Sequence, residues 1–257
     1  MLRRIFTSGS AALVLAFIYL PLLTIIWYSF SAESVNSFPI KAYSLEWYKV
    51  MANDDSLLRA VASSLRVAFA STVIALIIGI PATFALHKFE FPGKRMVERI
   101  VLMPITLPGI VTGVAMLSFF PRIGVELSLV AVGIGHITFL LAIVVTQLLS
   151  RFKRLDPNLE QAAYDLGATP LRAFFTVIIP NIRTAIIGAA LLCLVLSMDE
   201  IPVTFFLIAR DNTLPIEIYG MMRRGITPEV NAISTLIFLA TVVILIISQR
   251  LSRKTND

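Results

Sequence analysis

Two adjacent acids, Asp199 and Glu200, stand inside a long apolar stretch, with Pro202 just beyond and Phe205 and Phe206 following. A carboxylate near the middle of a bilayer costs roughly 2.5–3.5 kcal/mol on insertion scales, so it is expected to face a bundle interior or a wet cavity. Neighbouring positions on an ideal helix point about 100° apart, so the two acids do not face one spot. Pro202 has no N–H for the carbonyl of Met198, which opens the helix there and frees carbonyls to line a cavity. Carboxylates, freed carbonyls and two aromatic rings make a site for a cation, the rings through cation–π contact. The competing reading pairs one acid with a base on another helix, for which Arg66 is the candidate.

Other chemistries lack their residues. Two histidines, His87 and His136, are too few and too distant for a zinc motif, and the single cysteine, Cys193, has no disulfide partner in the chain. Gly93-Lys94-Arg95 lacks the hydroxyl residue and the upstream glycine of a nucleotide-binding loop. No catalytic group, metal site or bound cofactor is expected. An intramembrane hydrolase built on Asp199, Glu200 or His136 would need a Ser-His pair, a second aspartate motif or a ligand set, and none is present. His136 is expected to be a hydrogen-bonded packing residue, with a proton relay as the second reading. Gly109, Gly113 and Gly133 suit close helix packing. Trp47 is read as an interface anchor, with substrate contact as the second reading. Glu217 and Glu229, on the outer side, are read as a solvated face, with contact to a binding protein as the second reading.

Hydrophobic residues make up 57% of the 257-residue chain and charged residues only 15%, against roughly a quarter charged in soluble domains. The polar residues are crowded between apolar runs of about 20 residues, the length of a helix that crosses a ~30 Å hydrocarbon core. Six spans are predicted, at residues 11–30, 64–86, 100–120, 127–149, 184–208 and 232–248. The first is too long for a signal-peptide core, so it is expected to be an uncleaved helix. Basic residues alternate with these spans. Arg3, Arg4, Lys88, Lys94, Arg95, Arg99, Arg151, Lys153, Arg154, Arg172, Arg183, Arg250, Arg253 and Lys254 place 14 of the 22 on one side. The positive-inside rule assigns that side, with both termini, to the cytoplasm. The net charge of +6 is thereby a matter of topology, and no nucleic-acid partner is implied.

The inner connection 151–183 is long enough to carry structure of its own. Asp156 and Pro157 suit a helix start, and Gly167 a helix stop. Leu159, Ala162, Ala163 and Leu166 recur at the spacing of one helix face. A second helix is expected from Pro170. The first is a short, small-residue peg of the shape that enters a partner's groove.

These residues carry a resemblance. Glu160-Gln161-Ala162-Ala163 with Gly167, then Val177, Ile179 and Pro180, resembles the EAA loop of permease subunits of ABC importers. Gln161 stands where that family usually has glutamate, with Glu160 one residue early. Leu196-Ser197-Met198-Asp199-Glu200, Val203-Thr204-Phe205-Phe206, Thr213-Leu214-Pro215 with Ile218-Tyr219, and Gly225–Ala232 look like the spermidine/putrescine subgroup. The resemblance covers nearly the whole chain. It implies an all-α, type I importer permease fold, a single transmembrane domain in a bacterial inner membrane. It also implies a coupling helix whose ATPase contacts fall on Glu160, Gln161, Ala162, Ala163, Asp165 and Gly167. The implied partners are a second, non-identical permease, two ATPase subunits that carry ATP and Mg, an external binding protein and lipid. The implied cargo is a small cationic amine, with a pathway through Asp199, Glu200, Trp47, Phe205 and Phe206. One departure bears on the cargo: Gly109 follows Pro108 where polyamine permeases often carry an acid, so another small amino compound is the alternative. A secondary transporter would usually show inverted repeats, and none is detected.

Overall fold

The computed structural model describes the backbone of residues 2–225 and 227–254, and the side chains of 10–223, 225 and 227–242. Arg3, Arg4, Arg250, Arg253 and Lys254, used above for orientation, have side chains outside the described residues, and Ile226 lies outside them altogether. The elements run α1 Leu2–Tyr28, α2 Glu46–Ala52, α3 Asp55–Lys88, α4 Lys94–Thr106, α5 Gly109–Phe119, α6 Leu129–Phe152, α7 Asn158–Asp165, α8 Pro170–Ala173, α9 Ile179–Met198, α10 Pro202–Leu207, α11 Leu214–Arg224 and α12 Pro228–Lys254. A 3-10 turn, Phe120–Ile123, follows α5, and a π turn, Phe174–Ile178, joins α8 to α9. No strand occurs among the described residues.

The all-α membrane fold is as expected, but its spans are less regular than six rods. Ser10–Tyr28, Asp55–Lys88, Leu129–Phe152 and Pro170–Met198 are each long and apolar enough to cross a bilayer. The predicted third span is a bent pair, Lys94–Thr106 and Gly109–Ile123, turning through 106°. Pro108 causes the bend, because proline disfavours helical backbone at the residue before it, and Leu107 is extended at ψ 139°. The predicted fifth span, 184–208, begins earlier, at Pro170, and its helix stops at Met198. Residues 202–207 form the separate α10. In the last span the described apolar part is Pro228–Val242.

Two compact units are present, one being Arg59–Ile216 and the other the rest of the chain. Within Arg59–Ile216, α6 is the central helix and packs against α4, α9 and α10. One buried cluster joins Ala75 of α3 to Leu140, Val144, Leu148 and Phe152 of α6 and to Ile182 and Cys193 of α9. A second joins Val67, Phe120, Ala131, Val132, Val203 and Leu207. Apolar burial gives no net drive between helices in lipid, so contact rests on close fit. Gly79 supplies it between α3 and α6, where a Cβ would stand 2.6 Å from Val144 Cγ1.

In the other unit α1 and α2 pack on α12. Trp27 Nε1 donates to Tyr43 Oη at 3.0 Å, and Ser29 Oγ meets Tyr48 Oη at 2.7 Å. Phe17 of α1 is 83% exposed and Leu13 74%, an apolar surface suited to lipid and costly in water.

Candidate functional site

The break after α9 is made by Pro202. With no N–H it leaves the Met198 carbonyl unbonded, and α9 closes instead with Asp199 N–H on the Val195 carbonyl at 3.2 Å. Proline is well suited to the first turn of the next helix, and Pro202 opens α10. Glu200, between the two helices, then caps α10. Its Oε1 accepts from the Val203 N–H at 2.8 Å, and its Oε2 accepts from the Thr204 N–H and hydroxyl, each at 2.9 Å. Its oxygens thus bind the N–H groups that a helix start leaves open.

Behind Glu200 stands His136 of α6, 1% exposed. His136 Nδ1 lies 2.7 Å from Ser197 Oγ, and Nε2 lies 2.9 Å from Thr204 Oγ1 and 3.5 Å from Glu200 Oε2. The base expected opposite Glu200 is therefore His136. Arg66 is exposed on α3 beside an apolar groove formed with Val67, Ala70 and Leu129. The direct substrate role expected for Glu200 has a structural competitor, since its oxygens are already committed.

Asp199 differs. It is exposed, and among the described residues its carboxylate has no hydrogen-bond partner. Phe205 is 50% exposed and forms an edge-on pair with the half-buried Phe206, centroids 5.5 Å apart. These residues share one short segment with Asp199. Trp47 lies on α2 in the other unit, half-buried, with a buried Nε1 that has no hydrogen-bond partner.

The bend in the third span and the break after α9 pack on each other. A Cβ on Gly109 would stand 2.9 Å from Pro202 Cβ, and one on Gly113 would stand 2.7 Å from Phe206 and 3.0 Å from the Pro202 carbonyl. The missing acid at position 109 thus has a steric reason: the site has no room for any side chain. Gly135, which was not singled out, matters equally, because its Cβ would lie 2.7 Å from Val203 and 2.8 Å from Leu207. A Cβ on Gly133 would make only an ordinary contact with Ser71 Oγ, at 3.6 Å, and the Ser71 hydroxyl donates to the Gly133 carbonyl at 3.1 Å. Glu217 and Glu229 are half-buried and engaged, so neither is a plain solvated face.

At the other polar centre, Asp156 Oδ1 accepts from the Asn158 N–H at 2.9 Å and starts α7. Gly167, at φ 81°, ends it: the Gly167 N–H reaches the Tyr164 carbonyl at 2.8 Å and the Ala168 N–H the Ala163 carbonyl at 2.9 Å. This is the paired closure that glycine makes after a helix. Ala163 is buried and Leu159 half-buried, but Ala162 is exposed and Leu166 is 88% exposed. Leu166 is already the cap residue and has left the expected face. Gln161 and Asp165 are exposed. Glu160 turns inward, paired with Lys88 at the end of α3 and bonded to Tyr164, whose hydroxyl also meets Lys88 Nζ at 3.0 Å. Burial raises the Glu160 pKa, but the hydrogen bonds from Lys88 and Tyr164 outweigh it and hold the carboxyl below its ordinary value.

Residues 71–256 match the family model described as binding-protein-dependent transport system inner membrane component. The chain is 32% identical over 254 residues to the spermidine/putrescine transport system permease protein PotC of Escherichia coli K12, covering 98% of this chain and 96% of that one. It is 32% identical over 236 residues to the putrescine transport system permease protein PotI of the same strain, covering 89% and 84%. A chain of a bacterial ABC transporter involved in import of the acidic polysaccharide alginate superposes with a TM-score of 0.73 at 19% identity, covering 96% of each. That last likeness is one of fold.

Proposed function

The chain belongs to the family of binding-protein-dependent transport system inner membrane components, and from that premise we propose that it is one permease of an ATP-driven importer of polyamines. The cargo class follows from its likeness to PotC and PotI over most of its length. The observation that carries the pathway is the exposed, unpartnered carboxylate of Asp199 at a helix break. An ammonium group reaching it meets a carboxylate beside the Met198 carbonyl that Pro202 leaves free, with the exposed Phe205 ring on the same short segment. Such placement of carbonyls and charge at an interrupted helix is how transporters build ion and substrate sites. Glu200 shapes this site from behind, and Trp47, in the other unit, is a further proposed substrate contact.

The chain acts as a single transmembrane domain without catalysis of its own. Two separate ATPase subunits hold ATP and Mg, and α7 docks on one of them through Gln161, Ala162, Asp165 and the turn at Gly167. ATP-driven closure moves α7 and rocks the spans, so that cargo delivered by an external binding protein passes inward. A second, similar permease completes the pore. Both termini lie in the cytoplasm, on the side of the basic connections.

The test is uptake of spermidine and putrescine by the reconstituted complex carrying Asp199→Asn. Uptake is expected to fall at least tenfold with normal assembly and normal basal ATPase; unchanged uptake removes Asp199 from the pathway. A second reading, a less charged amino compound as cargo, is favoured by Gly109, which leaves that position without an acid. ATPase stimulation by a panel of amines, with binding protein present, separates the two.

A further inference from the structure

We propose that His136 is a positioning residue that decides which of two adjacent carboxylates faces the cargo. The inference rests on the reading of Asp199 as the cargo contact and adds the device that keeps it there.

One imidazole bridges the break. Ser197, its partner at Nδ1, belongs to the last turn of α9, and Thr204, its partner at Nε2, to the first turn of α10. The direction of the bonds follows from proton counting. The Thr204 hydroxyl has one proton and gives it to Glu200 Oε2, so its oxygen accepts from the Nε2–H of His136. In the neutral ring Nδ1 then accepts from the Ser197 hydroxyl. A directed chain therefore runs from Ser197 through His136 and Thr204 to Glu200, and every proton in it has an acceptor.

This chain holds Glu200 inward. With Glu200 committed to His136, Thr204 and the Val203 N–H, the break can turn only one acid outward, and that acid is Asp199. The approach is close because Gly135, the residue before His136, has no side chain to collide with Val203 and Leu207. A rigid ring reaches two hydroxyls on opposite edges at once, through Nδ1 and Nε2. Without the ring, Glu200 keeps the Thr204 hydroxyl but the chain behind it is cut. A buried carboxylate with weakened partners moves towards water, and the neighbouring residue, Asp199, is exposed. Two acids then share the opening, and the break loses its single geometry.

The test is a double-mutant cycle on the reconstituted complex, with ATPase subunits and binding protein, reading KM and maximal rate of spermidine uptake. His136→Ala is expected to raise KM about tenfold with assembly and basal ATPase preserved. The same substitution is expected to change KM less than twofold in an Asp199→Asn background, because the residue it positions is gone. Ser197→Ala cuts only the first link, keeps the ring and is expected to raise KM about threefold; it carries the test if His136→Ala fails to assemble. Equal KM effects in both backgrounds, an unchanged KM in an assembled His136→Ala importer, or an unchanged KM in assembled Ser197→Ala overturns the inference. If Asp199→Asn alone leaves uptake unchanged, the cargo reading fails instead, and the two failures are told apart within one cycle.

Discussion

Glu160 holds the short helix α7 to the end of α3 through Lys88 and Tyr164, while Glu200 holds the short helix α10 to the middle of α6 through Thr204 and His136. Each is a glutamate that pins a short helix to a long one, and each stands next to a residue that looks outward, Gln161 or Asp199. They differ in what surrounds them. The Glu160 pair keeps 20% and 29% side-chain exposure, whereas His136 keeps 1% and Glu200 11%. Water screens the first and is excluded from the second, so the same motif is adjustable in one place and rigid in the other. A connection that must move with a partner suits the first, and a pathway that must hold its shape suits the second.

The comparison breaks most visibly at Glu200. Glu200→Ala leaves the Val203 and Thr204 N–H groups and the His136 chain without their acceptor, and is expected to cost about 3 kcal/mol, read as a lower Tm of the purified complex. Next is Gly113→Ala, which forces a methyl against Phe206 and the Pro202 carbonyl, with an expected loss of about 2 kcal/mol. Its counterpart, Gly167→Ala, meets nothing within 4 Å and suffers only from the positive φ, about 1 kcal/mol. Equal losses at the two glycines would mean the break is no more tightly packed than the α7 turn.

Glu160→Gln is expected to cost about 1 kcal/mol, as partly exposed pairs do, and to add a pH signature. The folded carboxyl is held below its ordinary value, so its stabilisation is complete above that value and is lost as pH falls through the lowered one. Tm of the parent should therefore drop more steeply in acid than that of Glu160→Gln, and parallel curves would show that the pair contributes nothing. Smallest in stability is Leu166→Ser, within about 0.5 kcal/mol because the side chain is exposed. It is expected to weaken ATPase stimulation while leaving Tm in place.

Much of both regions was readable from local chemistry. Pro202 implied an opening near Met198, though the span was drawn through to residue 208, and Asp156, Pro157 and Gly167 bracketed α7 to within a residue. The bend at Pro108 was missed because membrane helices tolerate proline and hydropathy runs straight through it. Periodicity put Leu166 on one face with Leu159, Ala162 and Ala163, but the closure at Gly167 had already turned the chain there. What sequence spacing does not carry is the identity of distant partners. Lys88 meets Glu160 across 72 residues, and His136 meets Ser197 across 61. The clue lay in Ser197 and Thr204, two small hydroxyls flanking Glu200 in an apolar stretch, which suited a buried hydrogen-bond network better than a second cargo carboxylate.

The central claim is that Asp199 faces the cargo path while its neighbour does not. The chain has one cysteine, Cys193, and it is buried, so an added thiol can be read alone. In Asp199→Cys the most direct measurement is modification by a cationic thiol reagent in the assembled importer, with and without spermidine and binding protein. The account predicts rapid modification that spermidine slows, against a parent that does not react. No modification at position 199, or modification that cargo leaves unchanged, would contradict it.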